Sequence, residues 1–134
     1  SFNTSEEFFA WLSEICTLAC RKLDISLKTY HNQLCESVLG YIQDNYQNND
    51  LCLQDIARFA NVSPAYLSAL FKKNMNTSIS ETITVTRIEA ACKYLESSNL
   101  TLKEISEKCG YANQYYFSTS FKKHKGISPS GYRK

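Results

Sequence analysis

Two lysine pairs, Lys72-Lys73 and Lys122-Lys123, each follow directly on a phenylalanine and stand fifty positions apart in a chain of 134 residues. Such side chains hold an anion by charge and by N–H donation, and at neutral pH they neither attack a carbon nor relay a proton. Groups for covalent chemistry are sparse. His31 and His124 are the only histidines, neither stands in a pattern for serine, cysteine or metal catalysis, and there is no glycine-rich phosphate loop. No enzyme and no cofactor is expected. The six cysteines (Cys16, Cys20, Cys35, Cys52, Cys92, Cys109) form no C-x-x-C pair. Most fall where a helical apolar stripe takes a small hydrophobe, which reads as reduced, buried thiols. Cys16/Cys20 and His31/Cys35 are i, i+4 pairs that would share a helix face and could meet at zinc. That site would need a hairpin near Asp24 to Ser26, where neither Gly nor Pro stands, and no metal is expected.

The elements that carry the lysines follow from composition. The chain is 43% hydrophobic and 21% charged, as expected of a soluble globular protein, and its 4 Gly and 2 Pro leave few places to end a strand. An all-α fold is favoured. No apolar run approaches the roughly 20 residues of a membrane-spanning helix. The chain opens on Ser1-Phe2 without a basic and apolar leader, so it reads as a cytoplasmic fragment of something longer, without membrane contact. Charge is divided. Residues 1–50 carry three bases against seven acids, a net −4, and residues 51–134 carry twelve against six, a net +6. After Glu107 come Lys108, Lys122, Lys123, Lys125, Arg133 and Lys134 with no acid among them. A polyanion suits that end, and a solvated face is the plainer alternative.

The lysine pairs belong to a repeat. Leu51, Leu53, Ile56 and Ala60 align with Leu100, Leu102, Ile105 and Cys109 at an offset of 49; after one inserted residue, Ser63, Tyr66, Leu67 and Phe71-Lys72-Lys73 align with Asn113, Tyr116, Phe117 and Phe121-Lys122-Lys123. Each unit reads as two helices and a short turn. Thr101 with Glu104 fits a capping box, while Cys52 holds the matching place in the first unit and caps poorly. Asn61 and Gly110 end the first helices, Ser63 with Pro64 and Asn113 begin the second, and Asn76 and Gly126 end those. Helix, tight turn and helix is either an ordinary αα-hairpin or a helix-turn-helix motif whose second helix lies in a major groove. How that helix divides favours the groove. Leu67, Leu70 and Phe71 make one apolar face and leave Ala65, Ser68, Ala69, Lys72 and Lys73 outward; in unit two Phe117 and Phe121 point in, with Tyr116 beside them. Gln114, Tyr115, Ser118 and Lys122, flanked by Thr119, point out. Short polar groups at the start suit base edges, and lysines at the end suit phosphates.

Between the units Ser78 and Glu81 suggest another capping box, and Ile79, Ile83, Val85, Ile88, Ala91, Cys92 and Leu95 stripe a helix to about Ser97. Nineteen residues at about 1.5 Å each span roughly 28 Å. Two recognition helices on such a rod can enter successive major-groove segments, which recur about every 34 Å.

These residues also carry a resemblance. Residues 41–134 resemble the DNA-binding domain of the AraC/XylS family of transcription regulators. The match is most specific over Ile105 to Tyr111, Tyr116-Phe117-Ser118, Phe121-Lys122-Lys123 and Gly126 to Lys134. The resemblance implies seven helices in two subdomains, bridged by the helix of Arg87-Ile88-Glu89-Ala90-Ala91. It implies base contacts at Ala65, Ser68 and Ala69 in the first motif and at Gln114, Tyr115, Ser118 and Thr119 in the second. Lys72, Lys73, Lys122, Lys123 and Lys125 are the phosphate candidates. Many relatives have Arg at Ala69 and Thr119, and without that fork the first motif suits thymine methyls and shape, leaning toward A·T sites. Gln114 either reads adenine or serves only as a helix-start residue.

In the first 47 residues Thr4 and Glu7 suit a cap, and Phe8, Leu12, Ile15, Ala19, Leu23, Leu27, Tyr30, Leu34, Val38 and Ile42 advance by three or four. One long helix, or two with a joint near Asp24, fits. Its stripe serves a parallel coiled-coil homodimer or packs on its own DNA-binding domain. The arrangement resembles response regulators of the YesN type, with a receiver upstream of a helical linker and an AraC-like output domain. The expected organisation is therefore a linker or dimerisation segment over 1–40 and a DNA-binding domain over 41–134. Within the latter, motif one spans about 51–73, the linker helix about 79–97 and motif two about 101–125. The expected partners are double-stranded DNA, a second copy and RNA polymerase. The alternatives are a ligand- or membrane-sensor-coupled regulator, a non-DNA helical adaptor, and a repair protein joining such a domain to a reactive cysteine.

Overall fold

A computed structural model describes the backbone of residues 5–133 and the side chains of residues 10–15 and 21–133. The described elements are all helices: α1 (Ser5–Asn45), α2 (Leu53–Ala60), α3 (Pro64–Met75), α4 (Ile79–Ser97), α5 (Leu102–Lys108), α6 (Gln114–Lys125) and α7 (Pro129–Arg133). None among the described residues is long and apolar enough to cross a membrane. The chain divides into two compact units, Ser1–Leu34 and Cys35–Lys134.

In the first unit the described residues, 5–34, all belong to α1. No break occurs at Asp24, where the sequence left one helix or two open, because nothing there removes a backbone donor or needs a left-handed residue. Leu12, Ile15, Leu23, Leu27 and Tyr30 are exposed on it. Thr4 of the expected cap and the side chains of Phe8, Cys16, Ala19 and Cys20 lie outside the described residues.

In the second unit the end of α1 buries Cys35, Val38 and Ile42. Tyr41 stacks on Phe59 of α2 with ring centroids 4.4 Å apart. The duplication seen in sequence recurs in burial: Ile56 with Ile105, Leu67 with Phe117, and Phe71 with Phe121 all have no exposed surface. Ala57 has become Ser106, equally buried, and its hydroxyl is satisfied by donating to the Lys103 carbonyl at 2.8 Å. The first half of α4 buries Ile79 and Ile83; its second half sends Ile88, Ala91, Cys92 and Leu95 into the core built around Phe117 and Phe121.

Caps set the boundaries. Thr101 and Glu104 make the full capping box at α5. Cys52 has the extended backbone of a cap but makes no capping bond, and its thiol donates instead to Asp55 at 3.3 Å. Asn61, Asn76, Gly110 and Gly126 all take positive φ where the helices stop. At α4 only half of the expected box forms. Ser78 Oγ accepts from the Glu81 amide at 3.1 Å, but the Glu81 carboxylate lies 3.0 Å from His124 Nε2 of α6, a charge-assisted partner stronger than a backbone amide. Two more acceptors follow along the same helix: Glu89 takes Lys125 at 2.7 Å, and Glu96 takes the Tyr132 hydroxyl at 2.5 Å. Three carboxylates of α4 thus hold α6 and α7 in place.

Candidate nucleic-acid interface

The first candidate helix begins where Ser63 Oγ accepts from the Tyr66 amide at 3.2 Å, with Pro64 in the first turn. Proline there loses no helical hydrogen bond and fixes the backbone angle the helix needs. Buried Leu67, Leu70 and Phe71 anchor one face, which leaves Ala65, Ser68, Ala69, Lys72 and Lys73 exposed. The outward surface therefore consists of two methyl groups and a hydroxyl, followed by two ammonium groups in the last turn, where the helix dipole favours them.

The second begins at Asn113, whose side-chain oxygen accepts from Tyr115 at 2.7 Å and from Tyr116 at 3.2 Å. Phe117 and Phe121 hold it to the core in tilted ring contacts with Tyr111 and Tyr132. Tyr115 is 81% exposed and Thr119 is exposed, while Gln114 and Ser118 are half-buried beside them. Tyr116, expected beside the inward pair, is 66% exposed and meets Tyr111 in a tilted ring contact, centroids 5.8 Å apart. Its position in the turn places it on the flank of the helix, as with exposed Tyr66 in the first motif.

Lys122, Lys123, His124 and Lys125 crowd the last turn of α6, but they are not equivalent. His124 and Lys125 are bound back to Glu81 and Glu89 of α4. Lys122 and Lys123, like Lys72 and Lys73, are exposed, and among the described residues no ion pair engages them. Hydrogen bonds to the Ser120 carbonyl and to Glu81 raise the His124 pKa. The Glu89 bond likewise raises that of Lys125. Of the lysines expected to meet phosphate, Lys125 therefore carries a second task, fixing α6 to α4. The sequence marked Glu81 as a capping-box residue for Ser78 and Glu89 only as part of the linker helix, and the 43-residue separation of Glu81 from His124 offered no local signal for their pairing.

No group of three or more His, Cys, Asp or Glu able to hold a metal occurs among the described residues. Cys35, Cys92 and Cys109 are buried free thiols, and burial pushes the Cys109 pKa up to about 12, so that thiol stays protonated. Cys52 is free and exposed. The site's chemistry is donation and positive charge on two similar helices, which can grip a polyanion and present small polar groups to it.

Residues 56–134 match the helix-turn-helix domain family. The C-terminal domain of AraT, a response regulator from Geobacillus stearothermophilus, superposes with a TM-score of 0.73 at 42% identity, over 75% of this chain and 83% of that one. The C-terminal domain of the two-component response regulator yesN from Fusobacterium nucleatum gives 0.72 at 31% identity, over 74% and 96%. The raffinose operon transcriptional regulatory protein RafR of Pediococcus pentosaceus is 34% identical over 109 residues, 81% of this chain and 39% of that protein. The chain spans less than half the length of the curated relatives it matches first.

Proposed function

Because the chain belongs to the AraC/XylS family of helix-turn-helix regulators, we propose that it binds double-stranded DNA sequence-selectively and regulates transcription, with α3 and α6 in adjacent major grooves. The observation that carries this is the repeated division of both helices: buried aromatic or aliphatic anchors on one side, short polar groups opposite, and in each last turn a pair of exposed lysines that no ion pair engages among the described residues. Ala65, Ser68 and Ala69 face thymine methyls and groove shape, and Gln114, Tyr115, Ser118 and Thr119 read the second segment. Lys72, Lys73, Lys122 and Lys123 grip phosphates, with Lys125 contributing beside its bond to Glu89. Likeness to the AraT and yesN C-terminal domains supports the output domain of a response regulator; a receiver upstream, RNA polymerase as partner and a cytoplasmic location belong to this proposal. The exposed leucines of α1 support a homodimer through that helix.

Binding of duplex DNA measured against salt tests the reading. With Lys122 and Lys123 changed to Ala, affinity falls for all sequences and the slope of log K against log salt shrinks by about 0.9 per lost contact. Substituting Gln114 or Ser118 instead changes which sequences are preferred, with little effect on that slope. A slope unchanged by the lysine substitutions removes the proposal.

A further inference from the structure

Arg87, in the middle of α4, ties the exit of α1 to the turn of the second motif. Its Nε donates to the Tyr46 carbonyl at 2.9 Å and its Nη2 to the Asn48 carbonyl at 2.9 Å, so one edge of the guanidinium meets two carbonyls of the segment that follows α1. Its guanidinium carbon lies 5.6 Å from the centre of the Tyr111 ring, a cation–π distance. The same carbonyl of Tyr46 presses on the turn itself. A Cβ at Gly110 would stand 2.1 Å from Tyr46 O and 2.9 Å from Arg87 Nε, so the close approach needs a residue without one, quite apart from its φ of 90°. Three residues beyond Gly110, Asn113 caps α6. Asn48 O also accepts from the Leu51 amide, the lead into α2.

The chain passes from α1 into the first motif, yet its exit segment leans on the second. We propose that Arg87 is a positioning residue for DNA reading: it fixes the start of α6 against the Tyr46–Asn48 segment, so that a shift at the end of α1 reaches the second recognition helix without passing through the first. The inference rests on the DNA-binding reading above. Lysine cannot replace arginine here, because a single ammonium lacks the planar fork that meets two carbonyls at once. Half-burial of Arg87 strengthens the demand, since desolvation must be offset by well-placed acceptors and the ring face.

The test uses the whole chain with Arg87→Lys and Arg87→Met. Preferred duplexes are selected with the wild type, and each base pair is then permuted; the half-site of motif two is the one whose preference responds to Gln114→Ala and Ser118→Ala. Both Arg87 variants should lose about tenfold discrimination in that half-site, about 1.4 kcal/mol, while preference in the half-site of motif one is kept. Amide exchange supplies a reading independent of DNA. The Gly110 and Tyr111 amides, bonded to Glu107 and Ser106 carbonyls, should exchange faster in Arg87→Lys, and those of Asn61 and Val62 at the matching turn should not change. A purely structural role would move both turns and both half-sites together, and that result, or no change in either, overturns the inference. A wild type with no duplex preference would refute the functional reading instead, and the exchange comparison would still decide the role of Arg87.

Discussion

His124 shows how one side chain acquires a task from its surroundings. Its Nδ1 lies 2.9 Å from the Ser120 carbonyl and its Nε2 3.0 Å from Glu81 Oε1, and both are acceptors, so both ring nitrogens are best served carrying a proton. The backbone bond first, then Glu81, raise its pKa from the ordinary 6.5, while desolvation and, less strongly, neighbouring Lys123 oppose the shift. The folded chain therefore binds that proton more tightly than the unfolded chain does. The stabilisation is complete below about 6.5 and fades as pH rises through the higher folded value. Denaturant melts over that range should show the wild type losing stability with rising pH, whereas His124→Gln should lack that component; parallel curves would refute the assignment. The Ser120 bond is local to α6, but nothing in residues 120–125 revealed the second partner, because the Glu81 carboxylate comes from another helix.

At the level of helices, the two motifs form a natural experiment in capping. Thr101 Oγ1 accepts from the Glu104 amide at 3.1 Å and Glu104 returns a bond to the Thr101 amide at 3.2 Å. Cys52 and Asp55 hold the matching places, and there the thiol cannot serve as an effective acceptor and the shorter carboxylate is occupied by that thiol. Cys52→Ser should raise stability by about 1 kcal/mol, seen as a higher denaturant midpoint with an unchanged slope; no rise would mean that α2 begins by packing alone. The caps at Ser63, Asn113 and Thr101 were legible because a cap is a contact within three residues. The Ser78 box was half legible, since its second bond competes with a partner 43 residues away.

For the molecule as a whole, the question is what the acidic, leucine-bearing start of the chain contributes. On α1, Leu23 is 60% exposed, and Leu27 and Tyr30 are close to half exposed, at the three- and four-residue spacing of an association seam. Apolar surface of this kind favours a second copy of the same helix. Sedimentation equilibrium should find concentration-dependent dimers, and Leu23→Glu with Leu27→Glu should leave monomers with an unchanged melting transition of the second unit. A wild-type chain that stays monomeric over the accessible concentrations would remove the homodimer.

By itself the sequence determined the all-helical architecture, the duplicated motif, the buried aromatic anchors and most helix ends. These follow from periodicities and caps that act within a turn or two of helix. Tertiary structure decided which cations remain exposed and which are tied down, why Gly110 must lack a side chain, and how Arg87 joins the exit of α1 to the second motif. Those outcomes depend on carbonyls and carboxylates brought together with residues 36 to 64 positions away in the chain, and such pairings exist only once the helices have packed.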